Sequence, residues 1–359
     1  MEGVAASAFT VPTDAPESDG TFEWDATTVV VVEVGAAGRR GLGYTYGPRA
    51  IGALVDELLT DELLGRDAFD VPGAWLALGA MLRNAGRPGI GSMALAAVDI
   101  ALWDLKARIL DLPLAKVLDV LHEEVPAYGS GGFTSYTNQR LAEQLGGWVA
   151  AGIPRVKMKL GRDPEADPAR LDAARAAIGD DAELYVDANG AFEAEEALAW
   201  AHRLRRGWDV SWFEEPVSSA DFAGLRLVRE QGPAGLDVAA GEYGYVLADF
   251  RNLLEAGAVD CLQADVTRCG GITGLLQASA LASAHGIDLS GHCAPAVSVS
   301  ALLAVQRLRH VEWFHDHVRL EALLFEGVPE VHGGVVRPDL SRPGHGLELK
   351  RADVARWAA

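Results

Sequence analysis

The sequence predicts an α+β domain followed by a closed parallel barrel of alternating strands and helices. Three observations carry this. Short apolar runs ending in acid recur at one interval: Leu184-Tyr185-Val186-Asp187, Trp212-Phe213-Glu214 and Val238-Ala239-Ala240-Gly241-Glu242 place their acids 27 and 28 residues apart, about one strand plus one crossover helix. From Val125 onward, strand-like and helical patterns alternate. Before that point, strands come first and helices after, the order of an α+β domain.

The first 22 residues read as irregular, with a polar, proline-punctuated loop at 12–22 that is a disordered leader or a mobile lid. Thr27 to Val34 is β-branched and strand-like, and Tyr44-Thr45-Tyr46-Gly47 continues a hairpin. Ile51 to Leu64 and Met93 to Leu110 have helical spacing. The barrel then begins with Tyr128 in its first strand. A helix at Gln139–Ala151, a strand at Arg155–Leu160 and a helix at Ala169–Ile178 follow. After the three acidic strand ends come strands at Ala258–Ala264, Ile287–Gly291 and Val311–Phe314. Helices at Ile272–His285 and Val297–Arg307 separate them. The boundaries are a capping domain at 1–122, a barrel at 123–325 and a Gly/Pro-rich tail at 326–359 that wraps back onto the first domain.

The chain has 359 residues and a formal net charge of −20. That charge argues against binding to nucleic acid or to an anionic membrane. It also means that an anionic substrate needs local positive charge. No apolar run is long enough for a spanning helix, and no secretory signal is visible at Met1-Glu2-Gly3-Val4. Cys261, Cys269 and Cys293 are odd in number and lack metal-site spacing, which fits reduced thiols in cytosol.

In a closed parallel barrel, successive strand ends meet on the C-terminal rim. Asp187, Glu214 and Glu242 therefore converge, and a hard divalent cation, Mg²⁺ for preference, answers their mutual repulsion. Asn189, two residues past Asp187, joins this rim as a substrate contact. Glu215 is expected to point away. The same spacing upstream reaches Lys159, and Lys157 shares its strand face. Two inward lysines need carboxylates or a bound anion. Downstream the spacing reaches Asp265 and then His292, a carboxylate beside an imidazole. Cys293 is expected to face away from His292 by strand alternation. His315-Asp316-His317 reads as polar loop, and Glu321 as a further rim residue. Tyr46 and Arg49 are placed at the distal end of the substrate.

These residues resemble the enolase superfamily, and within it the mandelate racemase subgroup, over most of the chain. The resemblance implies a modified (β/α)₇β barrel under an α+β cap. It implies metal ligation by Asp187, Glu214 and Glu242, and a Lys157-x-Lys159 pair with Lys159 as a base. It further implies a His292–Asp265 dyad as the second acid/base group, and Glu321 as a hydrogen-bond partner of the substrate carboxylate. The muconate-lactonising and dipeptide-epimerase branches carry lysine where Asp265 stands, so the chain departs from them. The implied chemistry is Mg²⁺-dependent removal of the α-proton of a 2-hydroxy carboxylate through an enediolate. Neighbouring cations would lower the pKa of Lys159. Dehydration of an acid sugar to a 2-keto-3-deoxy acid is the favoured outcome, with racemisation or epimerisation as the alternative. A non-catalytic sugar-acid-binding barrel is the reading from another class. The resemblance also implies a homo-oligomer, a dimer or an octamer.

Overall fold

The computed structural model describes residues 1–359. Its first domain opens with an antiparallel sheet of β1 (Gly3–Ser18), β2 (Glu23–Ala36) and β3 (Arg39–Tyr46), in the order β1-β2-β3. The expected irregular leader is thus a long edge strand. Small residues such as Ala5, Ala6 and Ala8 give its alternation little contrast in sequence. Pro12 and Pro16 are tolerated because they lie on an edge, where the register with β2 shifts between Pro12 and Glu17. Helix Ile90–Ile109 covers one sheet face, and helix Val71–Met81 packs against that helix. The long helix can lie close because β3 carries Gly43: a Cβ there would come within 2.1 Å of the Ala97 carbonyl.

The second domain is a closed barrel of β4 (Val125–Gly131), β5 (Arg155–Lys159), β6 (Glu183–Asp187), β7 (Val210–Glu214), β8 (Asp237–Ala240), β9 (Cys261–Ala264), β10 (Asp288–Gly291) and β11 (Leu308–Phe314). Each strand pairs with the next in parallel, and β11 pairs back to β4. Outward residues such as Val156, Met158, Val186 and Phe213 pack under the helix layer. Inward residues fill the barrel in layers. Tyr128, Tyr185 and Trp212 form an aromatic floor, with Tyr185 and Trp212 stacked at 5.3 Å. Polar side chains lie above it. Register sets the rim: Lys159 pairs with Asp187, and Asp187 with Glu214, across three neighbouring strands.

The two domains are joined through buried polar contacts. Asp99, on the long cap helix, accepts the Thr273 backbone N–H at 2.9 Å and its hydroxyl at 2.7 Å. It thereby caps the barrel helix Gly271–Ala284. The tail contacts both domains: Val335–Val336 pairs antiparallel to β4, and the His345 backbone N–H donates to Asp104 of the cap at 2.9 Å. No helix is long and apolar enough to cross a membrane.

Candidate active site

A cavity of about 320 Å³ lies between the cap and the C-terminal rim of the barrel, and both domains line it. Another hollow, of about 260 Å³, lies beside helix Val71–Met81, but no carboxylate or imidazole lines it. The chemistry is therefore at the rim cavity.

The inward lysines meet the acids directly. Lys157 donates to Glu214 Oε1 at 2.6 Å, with Glu312 Oε1 at 2.8 Å and Asp187 Oδ2 at 3.6 Å. Lys159 donates to Asp187 Oδ2 at 2.5 Å. All five side chains are buried. Burial works against the Lys159 ammonium, but Asp187, Glu214 and Glu312 together outweigh it and leave the pKa above its ordinary value. Lys157 acts in the expected lowering direction and is overridden.

On the other side, His292 Nδ1 lies 2.8 Å from Asp265 Oδ2. Asp265 is itself fixed, because its Oδ1 accepts the Thr267 N–H at 2.8 Å and hydroxyl at 2.7 Å. This orients the ring so that Nε2 faces Glu242 Oε2 at 3.1 Å. Burial opposes the imidazolium, yet Cys293, Glu242, Glu312 and Asp265 together raise its pKa well above the ordinary value. Lys159 on β5 and His292 after β10 are separated by β4 and β11 along one arc of the barrel. The arc of β6 to β9 separates them on the other side. Asp187, Glu214 and Glu242 belong to that second arc.

The acids outnumber the cations. Asp187, Glu214, Glu215, Glu242, Asp265 and Glu312 are all buried, and Lys157, Lys159 and Arg268 face them with His292. Oxygens of Glu214 and Glu242 lie within 4.8 Å of one another and of a His292 ring nitrogen. Burial, then Asp187, raises the Glu214 pKa to about 8. Glu215 Oε1 and Asn189 Oδ1 are buried without a hydrogen-bond partner. Surplus oxygen donors of this kind fit a hard divalent cation.

Several placements differ from the sequence reading. Glu215 does not turn away: it is buried, and Glu242 and Asp187 are among the acids that raise its pKa. β7 ends at Glu214, and Glu215 takes φ +36°, so strand alternation no longer applies. Cys293 differs for the same reason. It follows the end of β10 with φ +49°, and its thiol sits 3.5 Å from His292 Nε2 and 3.2 Å from Glu312 Oε2. Glu321 is not on the rim. It lies in helix His315–Leu324, where Oε1 accepts the Tyr44 hydroxyl at 2.5 Å and the Tyr46 hydroxyl at 3.3 Å, and Oε2 accepts the Ala296 N–H at 3.2 Å. Glu312, on β11, occupies the place expected of it and lines the cavity. Its inward position follows from alternation with outward Val311, a signal present in Val311-Glu312-Trp313-Phe314. Arg49 is exposed in a surface groove with Ala6 and Ala8, because the chain turns off at Gly47-Pro48 after β3. Tyr46 and Asn189 do line the cavity, as does Arg268, which the strand-end spacing did not reach.

The cap reaches this cavity through the turn between β1 and β2, which includes Asp19 and Phe22. Gly20 allows the approach: a Cβ there would meet the Ala188 carbonyl at 2.3 Å and the Leu160 carbonyl at 2.8 Å. Beside the turn, buried Glu17 accepts the Trp24 indole N–H at 2.8 Å. Burial, then Asp316, raises its pKa to about 8. The folded protein holds this proton more tightly than the unfolded chain. The contribution of Glu17 is therefore complete at low pH and fades as pH rises through about 8. The thermal midpoint is expected to fall between about pH 5 and about pH 8, with a smaller fall in Glu17→Gln. Equal falls in a thermal melt series would assign the effect to other groups.

Comparison with known proteins identifies the family. Residues 9–119 match the family model of the mandelate racemase / muconate lactonizing enzyme N-terminal domain, and residues 140–354 match the enolase C-terminal domain-like model. The chain belongs to the mandelate racemase / muconate lactonizing enzyme family of the enolase superfamily. It is 34% identical to 3,6-anhydro-alpha-L-galactonate cycloisomerase of Streptomyces coelicolor, over 100% of this chain and 99% of that one. A mandelate racemase/muconate lactonizing enzyme-like protein from Rubrobacter xylanophilus superposes with a TM-score of 0.98 at 57% identity, covering 100% of this chain and 99% of the other. L-talarate/galactarate dehydratase from Salmonella typhimurium, solved with Mg and L-lyxarohydroxamate, gives a TM-score of 0.90 at 29% identity over 99% of this chain and 92% of that one.

Proposed function

We propose that the protein is a magnesium-dependent acid-sugar dehydratase acting on a 2-hydroxy carboxylate. The observation that carries this reading is the pair of acid/base systems, Lys157/Lys159 and His292–Asp265, on two sides of an acid cluster. A binding barrel has no use for bases on both sides. Asp187, Glu214 and Glu242 would hold Mg²⁺, which when bound supplies charge stabilisation to the substrate carboxylate as its α-carbon loses a proton.

The chain's own groups do the rest. Lys159 holds its proton through Asp187, and it acts as a base to the extent that this carboxylate is engaged elsewhere. Lys157, anchored between Glu214 and Glu312, keeps fixed positive charge where the enediolate develops. His292, oriented by Asp265, presents Nε2 to the cavity and protonates the departing 3-hydroxyl. Return of that proton to carbon instead gives racemisation or epimerisation. The cap turn around Gly20 excludes water from the reacting carbon. The cytoplasm suits the three free cysteines, and assembly as a homo-oligomer is part of the reading by family resemblance.

Mass spectrometry of purified enzyme with a panel of acid sugars tests this. Magnesium-dependent loss of one water, abolished by EDTA and restored by added Mg²⁺, is the expected result. Conversion without change of mass would replace dehydration with isomerisation. No magnesium-dependent conversion of any acid sugar would contradict the reading.

A further inference from the structure

The cavity has a reactive end and a distal end, and they differ in charge. Its cationic lining is Lys159, Arg268 and His292, and all three are committed to the reactive end, His292 through Glu242 and Asp265. Lys159 is paired with Asp187 at 2.5 Å. Arg268 donates to the Glu242 backbone carbonyl at 3.2 Å and lies 3.3 Å from its Oε1 and 3.6 Å from Asp265 Oδ2. The distal wall instead presents Asp19 and Asp316, with the hydroxyl-bearing Thr27 and Thr28 and the aromatic Phe22 and Trp24.

Each distal acid is held in place by hydrogen bonds that its oxygens accept. Asp19 Oδ1 accepts the backbone N–H groups of Thr21 and Phe22 at 2.7 Å each, which leaves Oδ2 uncommitted. Asp316 Oδ2 accepts the Thr27 hydroxyl at 2.6 Å, and its Oδ1 accepts Arg319 at 2.7 Å. Arg319 also serves the Pro12 carbonyl at 2.8 Å. Arg162, near the turn, donates to Glu23 at 2.6 Å. His317 lines the same wall, stacked on Tyr46 at 3.5 Å. Burial lowers its pKa to about 4, so it is neutral and offers no positive charge.

From this asymmetry we infer that the substrate is a monocarboxylate whose far end is uncharged and hydroxylated, an aldonate and not an aldarate. This deepens the reading under the preceding heading and rests on it. A second carboxylate at the distal wall would meet two acids and no free cation, and like charges across a desolvated contact strongly disfavour binding. Sugar hydroxyls, by contrast, donate to Asp19 and Asp316, and a sugar C–H face packs on Phe22 and Trp24.

Calorimetric binding in Mg²⁺ to matched probes, D-galactonate against D-galactarate and D-gluconate against D-glucarate, tests the inference apart from catalysis. The aldonate of at least one pair is expected to bind at least about 10-fold tighter than its aldarate. Asp316→Asn and Asp19→Asn are each expected to narrow that gap several-fold. Aldarates that bind as well as or better than their aldonates, or no binding by any probe, would overturn the inference. An aldonate that binds as expected but shows neither water loss nor α-proton exchange would overturn the dehydratase reading and leave the charge preference standing.

Discussion

His292→Asn is expected to lower keto-acid formation by about 10²–10⁴-fold, the range of a positioned general acid or base. The loss should fall on kcat with little change in KM, because Nε2 acts on the leaving hydroxyl and not on the bound carboxylate. Asparagine keeps a polar group beside Asp265, so the fold is retained. Exchange of the α-proton should survive, since Lys159 stands on the other side of the acid cluster with its own partner, Asp187, at 2.5 Å. Lys159→Ala should give the converse: loss of exchange at the carbon face it serves. Rates that fall equally for exchange and dehydration in both variants would mean that the two groups do not divide the chemistry.

Glu214→Gln is expected to abolish magnesium-dependent activity while leaving the metal-free protein as stable or more stable. Glu214 is buried among acids, and burial together with Asp187 raises its pKa to about 8. In the metal-free protein these surroundings already favour the neutral carboxyl, so a neutral glutamine is tolerated there. Lys157 keeps Glu312 at 2.8 Å as a partner. The wild-type protein should gain about 2.7 kcal/mol from Mg²⁺ at 100 times its Kd, seen as a rise in thermal midpoint, and the variant should gain little. A variant that melts higher without metal and fails to respond to it separates ligation from folding. An unchanged magnesium response would remove Glu214 from the ligand set.

The barrel was legible because its period is long and its outward residues are uniformly apolar. Val186 and Phe213 mark strands that acids terminate, and register carries Lys159, Asp187 and Glu214 into line. What the sequence hid lies where regular structure stops. Glu215 and Cys293 take left-handed backbone conformations one or two residues past their strands. Their side chains therefore enter the site although alternation directs them elsewhere. As an acid after the last strand, Glu321 carries the sequence signal of a rim residue. It rides on a helix, and Tyr44 and Tyr46 hold it, while Glu312 on β11 faces inward. The edge strand β1 was masked by alanines and prolines whose two faces differ little in hydropathy. Arg268 lies beyond Asp265 on the turn into a helix, where strand-end spacing has no purchase.

The most direct test of the central claim, that two independent acid/base groups flank one metal-dependent site, is deuterium incorporation at the α-carbon of an acid sugar in D₂O. It should be followed with wild type, Lys159→Ala and His292→Asn, each with and without Mg²⁺. The account predicts incorporation by wild type only with Mg²⁺, its persistence in His292→Asn without keto acid, and its loss in Lys159→Ala for substrates whose proton faces that lysine. Incorporation independent of Mg²⁺, or full dehydration by His292→Asn, would contradict it.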